Sequence, residues 1–173
     1  MKTLVIHPKD STTAFLTEIY SDKDWSVINT NTSKKILKDK IKAHDRVVML
    51  GHGTELGLIG FGRLVIDSSW VYLLREKECV CIWCNADLFV LKYGLRGFYT
   101  GMIISESDEA EIYLPYPYTH KDIDDSNSLF AETIKKSFDV DVIKMDYKSD
   151  TNAVIMFNKD NLYYEAVGGV LKT

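Results

Sequence analysis

The sequence has few cysteines and prolines and no long hydrophobic run, and these shortages exclude whole classes of protein. Three cysteines among 173 residues cannot all pair with one another. They also lie together in CVCIWC, instead of being spread along the chain as a disulfide framework. We therefore expect a reducing, cytoplasmic setting. No run approaches the roughly 18 apolar residues that a membrane-spanning helix needs, so we expect no membrane association.

An excess of positive charge is also missing. The formal net charge is -4 at pH 7, which provides no general attraction to nucleic acid or to an anionic membrane. The lysine-rich segment SKKILKDKIK is interrupted by aspartate, and it predicts the solvated face of a helix. The N-terminal MKTLVIHPKD has too short an apolar core for a signal peptide and reaches a proline at once. We expect no nucleic-acid partner.

What the sequence does contain indicates one globular domain over residues 1–173. Hydrophobic residues make up 46% of the chain and charged residues 27%, which is typical of a folded protein. Apolar strands alternate with helical segments, with no internal repeat and no linker. Because the strands are apolar throughout, they predict an α/β fold in which helices cover both faces of a mostly parallel sheet.

The individual elements follow from apolar spacing and capping residues. Strands are predicted in KTLVI, WSVINTN, RVVML, CVCIWC and GFYTGMIIS, and GLIGFGRLVID predicts a hairpin. Helices are predicted in TTAFLTEIY, KKILKDKIKAH, WVYLLREKE, NADLFVLKYGL and LFAETIKKSF, the last capped by Ser126 or Ser128. VDVIKM and NAVIMF are candidates for late strands.

Polar residues follow the carboxyl ends of three predicted strands, where α/β sheets gather their ligand and catalytic groups. His52 follows the third strand and Cys84 ends the fourth, while Glu106 and Asp108 follow the fifth. If strands three and four are neighbours, His52 and Cys84 enter one crevice as a general base and a nucleophile. Gly53 would leave room for its backbone N–H to stabilise an oxyanion, together with the N–H of Cys84.

Other interpretations of the same residues stay open. A glycine-flanked histidine is also typical of a turn, and cysteines such as Cys79 and Cys81 are typical of a buried strand. A zinc site on the three cysteines would need His52 as its fourth ligand. We favour a chain without a metal or a cofactor. Acidic residues that follow a strand, as Glu106 and Asp108 do, are also typical of a helix N-terminus or a solvated loop.

Two segments resemble the histidine and cysteine boxes of caspase-like (clan CD) cysteine peptidases. These are MLGHGTELGLIG and CVCIWCNAD, and GLRGFYTGMIISESDEAEI resembles the following strand of bacterial CHAT domains. The resemblance implies a caspase-like three-layer sandwich, with His52 as base, Cys84 as nucleophile and the Gly53 N–H at the oxyanion. It also implies a charged substrate pocket near the cysteine, for which Asp87, Glu106, Asp108 and Glu109 are the candidates and which would favour Arg or Lys. The chain departs from the family pattern in the bulky Trp83 before the cysteine.

Three functions are therefore weighed. The first is a cytoplasmic thiol protease, a hydrolase that cleaves a protein or peptide substrate through a thioester acyl-enzyme. The second is an inactive caspase-like module that binds a regulatory protein partner, with Cys84 buried beneath Trp83. The third is a small-molecule-binding protein whose ligand is lined by the glycines of GHGTELGLIGFG. That segment lacks the phosphate-binding signatures, because its glycines are spaced G-x-G-x-x-x-G.

Overall fold

The fold is that of a computed structural model, which describes residues 1–167; residues 168–173, the end of the predicted domain, lie outside the described part. The strands are β1 Thr3–Ile6, β2 Ser26–Ile28, β3 Arg46–Leu50, β4 His52–Thr54, β5 Gly57–Gly60, β6 Arg63–Ile66, β7 Glu78–Ile82, β8 Gly97–Thr100 and β9 Leu162–Glu165. Six of them form one sheet in the order β2-β1-β3-β7-β8-β9. Its strands are parallel except for β9, which runs antiparallel to β8.

Helices occupy most of the chain between the strands. They are a 3₁₀ helix at Ser11–Ile19, α1 Lys34–Lys42, a short 3₁₀ turn at Ser68–Trp70, α2 Val71–Leu74, α3 Ala86–Tyr93, α4 Ser107–Tyr113, α5 His120–Lys136, α6 Val140–Asp146 and α7 Ala153–Lys159. Within residues 1–167 none of these helices has the length and apolar character needed to cross a bilayer.

Side chains of the central strands alternate between two hydrophobic cores. Val47 and Met49 of β3 enter the core that α1, α2 and α3 cover. Val48 and Leu50 enter the core formed with the 3₁₀ helix, α5, α6 and α7. Burial on both faces explains why these strands are apolar without alternation. The prediction of a mostly parallel sheet between two helical layers is confirmed.

Two predicted strands and one predicted helix boundary are wrong. VDVIKM and NAVIMF form helices α6 and α7, because Asp139 and Asn152 accept hydrogen bonds from the first free backbone N–H groups. Helix α5 begins at His120 with Thr119 as its N-cap. Ser126 lies inside that helix, fully buried, with its hydroxyl 2.7 Å from the Tyr147 hydroxyl.

The predicted hairpin is confirmed and gains a third strand. Strands β4, β5 and β6 form a small antiparallel sheet that follows directly after β3. Gly57 has φ of +136°, and a Cβ there would lie 1.8 Å from the carbonyl oxygen of Ile66. The glycine is required by the close approach of two backbones within the chain. Packing of this kind accounts for it without a bound ligand.

Candidate functional site

Strands β3 and β7 are parallel neighbours, which meets the condition that the sequence left open. Their register pairs Leu50 with Ile82, and the N–H of Gly51 donates to the Ile82 carbonyl at 3.1 Å. His52 and Cys84 each follow two residues after this last pair. Both therefore lie at the carboxyl edge of the sheet, where the chain leaves β3 for the small sheet and leaves β7 for helix α3.

Cys84 lies in a tight turn between β7 and α3. The strand ends at Ile82, so the cysteine follows the strand instead of ending it. Asn85 adopts a left-handed conformation, with φ of 63°, and its N–H donates to the Gly101 carbonyl at 3.1 Å. The Trp83 carbonyl accepts from the Thr100 hydroxyl at 2.9 Å. These bonds fix the direction in which the turn presents Cys84.

Trp83 and Cys84 point to opposite faces of the sheet. The Trp83 indole is fully buried in the core beneath α3, and its Nε1–H donates to the Thr54 carbonyl at 2.9 Å. Cys84 packs against the other core, so its expected place beneath Trp83 is wrong. A Cβ on Gly53 would lie 2.2 Å from Trp83 Cδ1, which explains the glycine by packing. The oxyanion role of the Gly53 N–H stays a prediction.

The His52 side chain is 38% exposed and is held by two residues that follow β1. Its Nε2 lies 2.6 Å from the Thr12 hydroxyl, and that hydroxyl donates to Asp10 Oδ1 at 2.5 Å. A carboxylate can only accept, so the hydroxyl proton belongs to this second bond and His52 Nε2 must be the donor in the first. In the neutral ring, Nδ1 is then the nitrogen free to take a proton.

Asp10 carries the negative charge at the end of this chain of hydrogen bonds. Its Oδ1 lies 3.8 Å from His52 Nε2. Hydrogen bonds from the Thr12 hydroxyl and the Thr12 N–H lower the pKa of Asp10, and the charge of His52 lowers it further. The carboxylate therefore stays ionised beside the His52 ring.

Asp10 and Thr12 contact His52 at this site, although the sequence did not predict them there. The pattern of a polar residue after an apolar strand indicated only a helix cap, and Asp10 does cap the 3₁₀ helix. However, β1 is the other neighbour of β3 in the sheet. Applying the strand-end rule to the first strand would have brought Asp10 to the same edge as His52.

The Cys84 thiol has hydrogen-bond partners other than His52. Its Sγ lies 3.4 Å from the Ile103 carbonyl oxygen and 3.3 Å from Glu109 Oε2, both of which are acceptors. Burial raises the pKa of Cys84 to about 12, with the negative charge of Glu109 acting in the same direction. Among the described residues no hydrogen bond joins this thiol to the His52 ring. The structure thus brings the predicted pair to one edge of the sheet, with each side chain bound elsewhere.

Two of the predicted substrate-pocket residues lie at this edge. Glu106 is the N-cap of α4. Burial and the charge of Glu109 raise the pKa of Glu106, whereas the charge of His52 lowers it. Glu106 also acts on Cys84, whose pKa it helps to raise. Asp108 is exposed on the first turn of α4 and contributes to the raised pKa of Glu106.

Asp87 lies elsewhere. It is on the first turn of α3, which covers the core on the opposite side of the sheet from Cys84. Its charge adds to the raised pKa of Tyr99, after burial and Glu165. Its Oδ1 is buried without a hydrogen bond from any residue of 1–167. The structure therefore does not place Asp87 with Glu106 and Asp108.

The three cysteines and His52 do not form the zinc site that the sequence left open. Cys79 and Cys81 are buried in the core under α1, α2 and α3, and the Cys79 thiol donates to the Leu74 carbonyl at 3.3 Å. Cys84 faces the other core. No three histidine, cysteine or acidic side chains are placed to share a metal ion in the part of the chain that the structure describes.

Comparison of the chain with models of protein families, with curated proteins and with solved structures found no match. The assignment of a function therefore rests on the geometry of this chain.

Proposed function

We propose that the chain is a cysteine peptidase with a caspase-like sandwich, in which Cys84 is the nucleophile and His52 the general base. One observation carries the proposal: the two side chains follow adjacent parallel strands, β3 and β7, at the carboxyl edge of the sheet. A second supports it, since Cys84 lies in a strand-to-helix turn next to a left-handed residue. Turns of this kind expose the nucleophile in other hydrolases.

The proposed reaction transfers one acyl group in two steps. Once His52 Nδ1 has taken the thiol proton, the Cys84 sulfur attacks the carbonyl carbon of a peptide bond. When the C–N bond breaks, His52 returns that proton to the leaving amine, and a thioester remains on Cys84. Water, deprotonated by His52, then releases the acid and restores the thiol. Thr12 and Asp10 hold the Nε2 proton throughout, and the N–H groups of Gly53 and Cys84 stabilise the oxyanion.

The proposed substrate is a protein or peptide with Arg or Lys before the scissile bond. Glu106 and Asp108 support this specificity, because both belong to the edge of the sheet that carries His52 and Cys84. A carboxylate favours a cationic side chain by charge and by hydrogen bonding. Asp87 has no part in this pocket, because it lies on the helix that covers the opposite core.

A second candidate function is an inactive module of the same fold that binds a regulatory protein partner. It is favoured by the hydrogen bonds of Cys84, which join the thiol to Glu109 and Ile103. A protonated thiol is a poor nucleophile. In this alternative Cys84 is a structural residue of the turn and never reacts with peptides.

Labelling with a peptidyl acyloxymethyl ketone that carries Arg at its reactive end tests the proposal. Such a probe alkylates an activated cysteine, and the intact mass reports the adduct. We expect one adduct, located on Cys84, which is lost in Cys84→Ala and in His52→Asn. His120→Asn is the matched control, because His120 is exposed at the start of α5. Labelling that is equal in His52→Asn and wild type would contradict the dyad.

A further inference from the structure

The carboxylate of Glu109 accepts hydrogen bonds on both of its oxygens. Oε1 accepts from the Ser105 N–H at 3.0 Å, from the Ser105 hydroxyl at 3.1 Å and from the Glu106 N–H at 3.1 Å. Oε2 accepts from Cys84 Sγ at 3.3 Å. The first three bonds fix the carboxylate as the capping residue at the third position of α4. Its second oxygen is thereby aimed at the thiol.

This contact fixes the proton on the sulfur. An ionised carboxylate can only accept, so the hydrogen between Glu109 and Cys84 belongs to the thiol. A thiolate in the same position would face the negative charge of Glu109, with Glu106 close by. The Ile103 carbonyl at 3.4 Å is a second acceptor for the thiol hydrogen. The Ile103 backbone lowers the pKa of Cys84, but burial and the charge of Glu109 raise it by more. In this orientation the sulfur is a poor nucleophile.

We propose that Glu109 is a positioning residue that keeps Cys84 in a resting, protonated orientation, and that the thiol reacts only after its side chain leaves Glu109 for His52. The inference rests on the proposed function, since it describes how that site is regulated. The role differs from the one that the family resemblance implied for Glu109, which was a place in an acidic pocket for Arg or Lys.

The charges around the thiol support the direction of the effect. Helix α4 and its cap supply Glu109 and Glu106, both negative, and Asp10 lies beside His52 at the ends of β1 and β3. The charge of His52 opposes these groups, because it lowers the pKa of Glu106. Removing the charge of Glu109 therefore removes the nearest repulsion that a thiolate on Cys84 would meet.

The test is the rate at which iodoacetamide alkylates Cys84 as a function of pH, followed by peptide mass mapping. Cys79 and Cys81 are buried and serve as internal unreactive thiols. Glu109→Gln removes the charge. Glu109→Asp withdraws the carboxylate from the sulfur and keeps a capping residue, since Asp122 performs the same capping role in α5. Glu111→Gln is the matched control, because it removes an exposed charge from the same helix.

We expect both Glu109 variants to be alkylated about tenfold or more faster than wild type near neutral pH, with the whole profile moved to lower pH. Glu111→Gln should follow wild type. Coincident profiles for wild type and the two Glu109 variants would overturn the inference, and Glu109→Asp carries the test if Glu109→Gln does not fold. The profile could shift in the Glu109 variants while the peptidyl probe labels Cys84 in none of the proteins. That result would confirm that Glu109 keeps the thiol protonated and would contradict the proposed peptidase activity.

Discussion

At the scale of single residues, two carboxylates act in opposite directions on the two reactive side chains. Asp10 acts on His52 through the Thr12 hydroxyl and places the ring proton on Nε2. Glu109 contacts Cys84 directly and keeps the proton on sulfur. The first arrangement prepares a base, and the second restrains a nucleophile. A carboxylate has both effects because charged His52 is a cation, whereas charged Cys84 is an anion.

Thr12→Val removes the hydroxyl that links Asp10 to His52 and leaves the backbone cap unchanged. Without this link the imidazole loses its fixed tautomer, so we expect kcat to fall about tenfold or more with little change in KM. The ¹⁵N chemical shifts of the His52 ring should show mixed protonation of Nδ1 and Nε2. Thr12→Ser should restore both readouts, and Thr17→Val, an exposed position in the same 3₁₀ helix, should match wild type. An unchanged tautomer in Thr12→Val would contradict the role of Thr12.

His7 should make the stability of the fold depend on pH. It is buried, with hydrogen bonds to the Tyr20 hydroxyl at 2.8 Å and the Thr13 hydroxyl at 3.2 Å, and burial lowers its pKa below 6.5. Below pH 6.5 His7 takes up a proton in the unfolded chain but stays neutral in the folded chain until the pH reaches its lower folded-state pKa. The free energy of unfolding is therefore highest above pH 6.5 and falls as the pH drops toward the folded-state pKa.

Thermal unfolding between about pH 7 and about pH 5 measures this dependence. We expect the Tm to decrease on acidification and the decrease to be smaller in His7→Gln, whose side chain cannot titrate. His120→Gln, at an exposed histidine, is the control. An equal decrease in His7→Gln and wild type would rule out His7 as the titrating group.

At the scale of elements, the small sheet and the β7–α3 turn are locked together by Gly53 and Trp83. The indole lies where a Cβ on Gly53 would be, and its N–H donates to the Thr54 carbonyl. Strand β4, which begins at His52, is thereby positioned against the turn that carries Cys84. Packing against Trp83 therefore explains why residue 53 is a glycine.

Gly53→Ala should push the indole out of its place. Overpacking of this kind costs about 1–3 kcal/mol in the free energy of unfolding, which urea denaturation measures. The cost should shrink in a Trp83→Leu background, because the contact with the indole is lost. It should not vanish, since the Gly57 carbonyl oxygen lies 2.5 Å from the added carbon in either background. Equal costs in the two backgrounds would show that Gly53 and Trp83 are not coupled.

Helix α7 anchors the segment behind the thiol. Asn158 is buried and bonds both backbone groups of Ile104, accepting from its N–H at 2.7 Å and donating to its carbonyl at 2.9 Å. The preceding residue, Ile103, supplies the carbonyl that Cys84 contacts. The position of α7 therefore bears on the site, although the helix contributes no reactive group.

Asn158→Ala should leave both Ile104 backbone groups without partners. Each unpaired buried group costs about 1–3 kcal/mol, so we expect a loss of about 2–6 kcal/mol for the two groups in urea unfolding. The exposed Asn29→Ala serves as the comparison. A loss below about 1 kcal/mol would mean that other groups replace the Asn158 side chain.

At the scale of the molecule, the sequence predicts the layers better than it predicts the contacts. Continuous apolar strands indicate a covered parallel sheet, whereas the pairing of β3 with β7 is seen only in the structure. The short apolar runs of α6 and α7 have no clear period, and only the caps Asp139 and Asn152 identify them as helices. The partners of Cys84 come from α4 and from the segment after β8, and no spacing in the sequence links them to the cysteine.

The cleavage of a complex peptide mixture, followed by mass spectrometry, tests the central claim most directly. The protein is incubated with the mixture, and new peptide ends are compared between wild type and Cys84→Ala. We predict new ends after Arg or Lys in wild type that are absent in Cys84→Ala and strongly reduced in His52→Asn. The same set of ends in wild type and Cys84→Ala would contradict the assignment of Cys84 as the nucleophile of a peptidase.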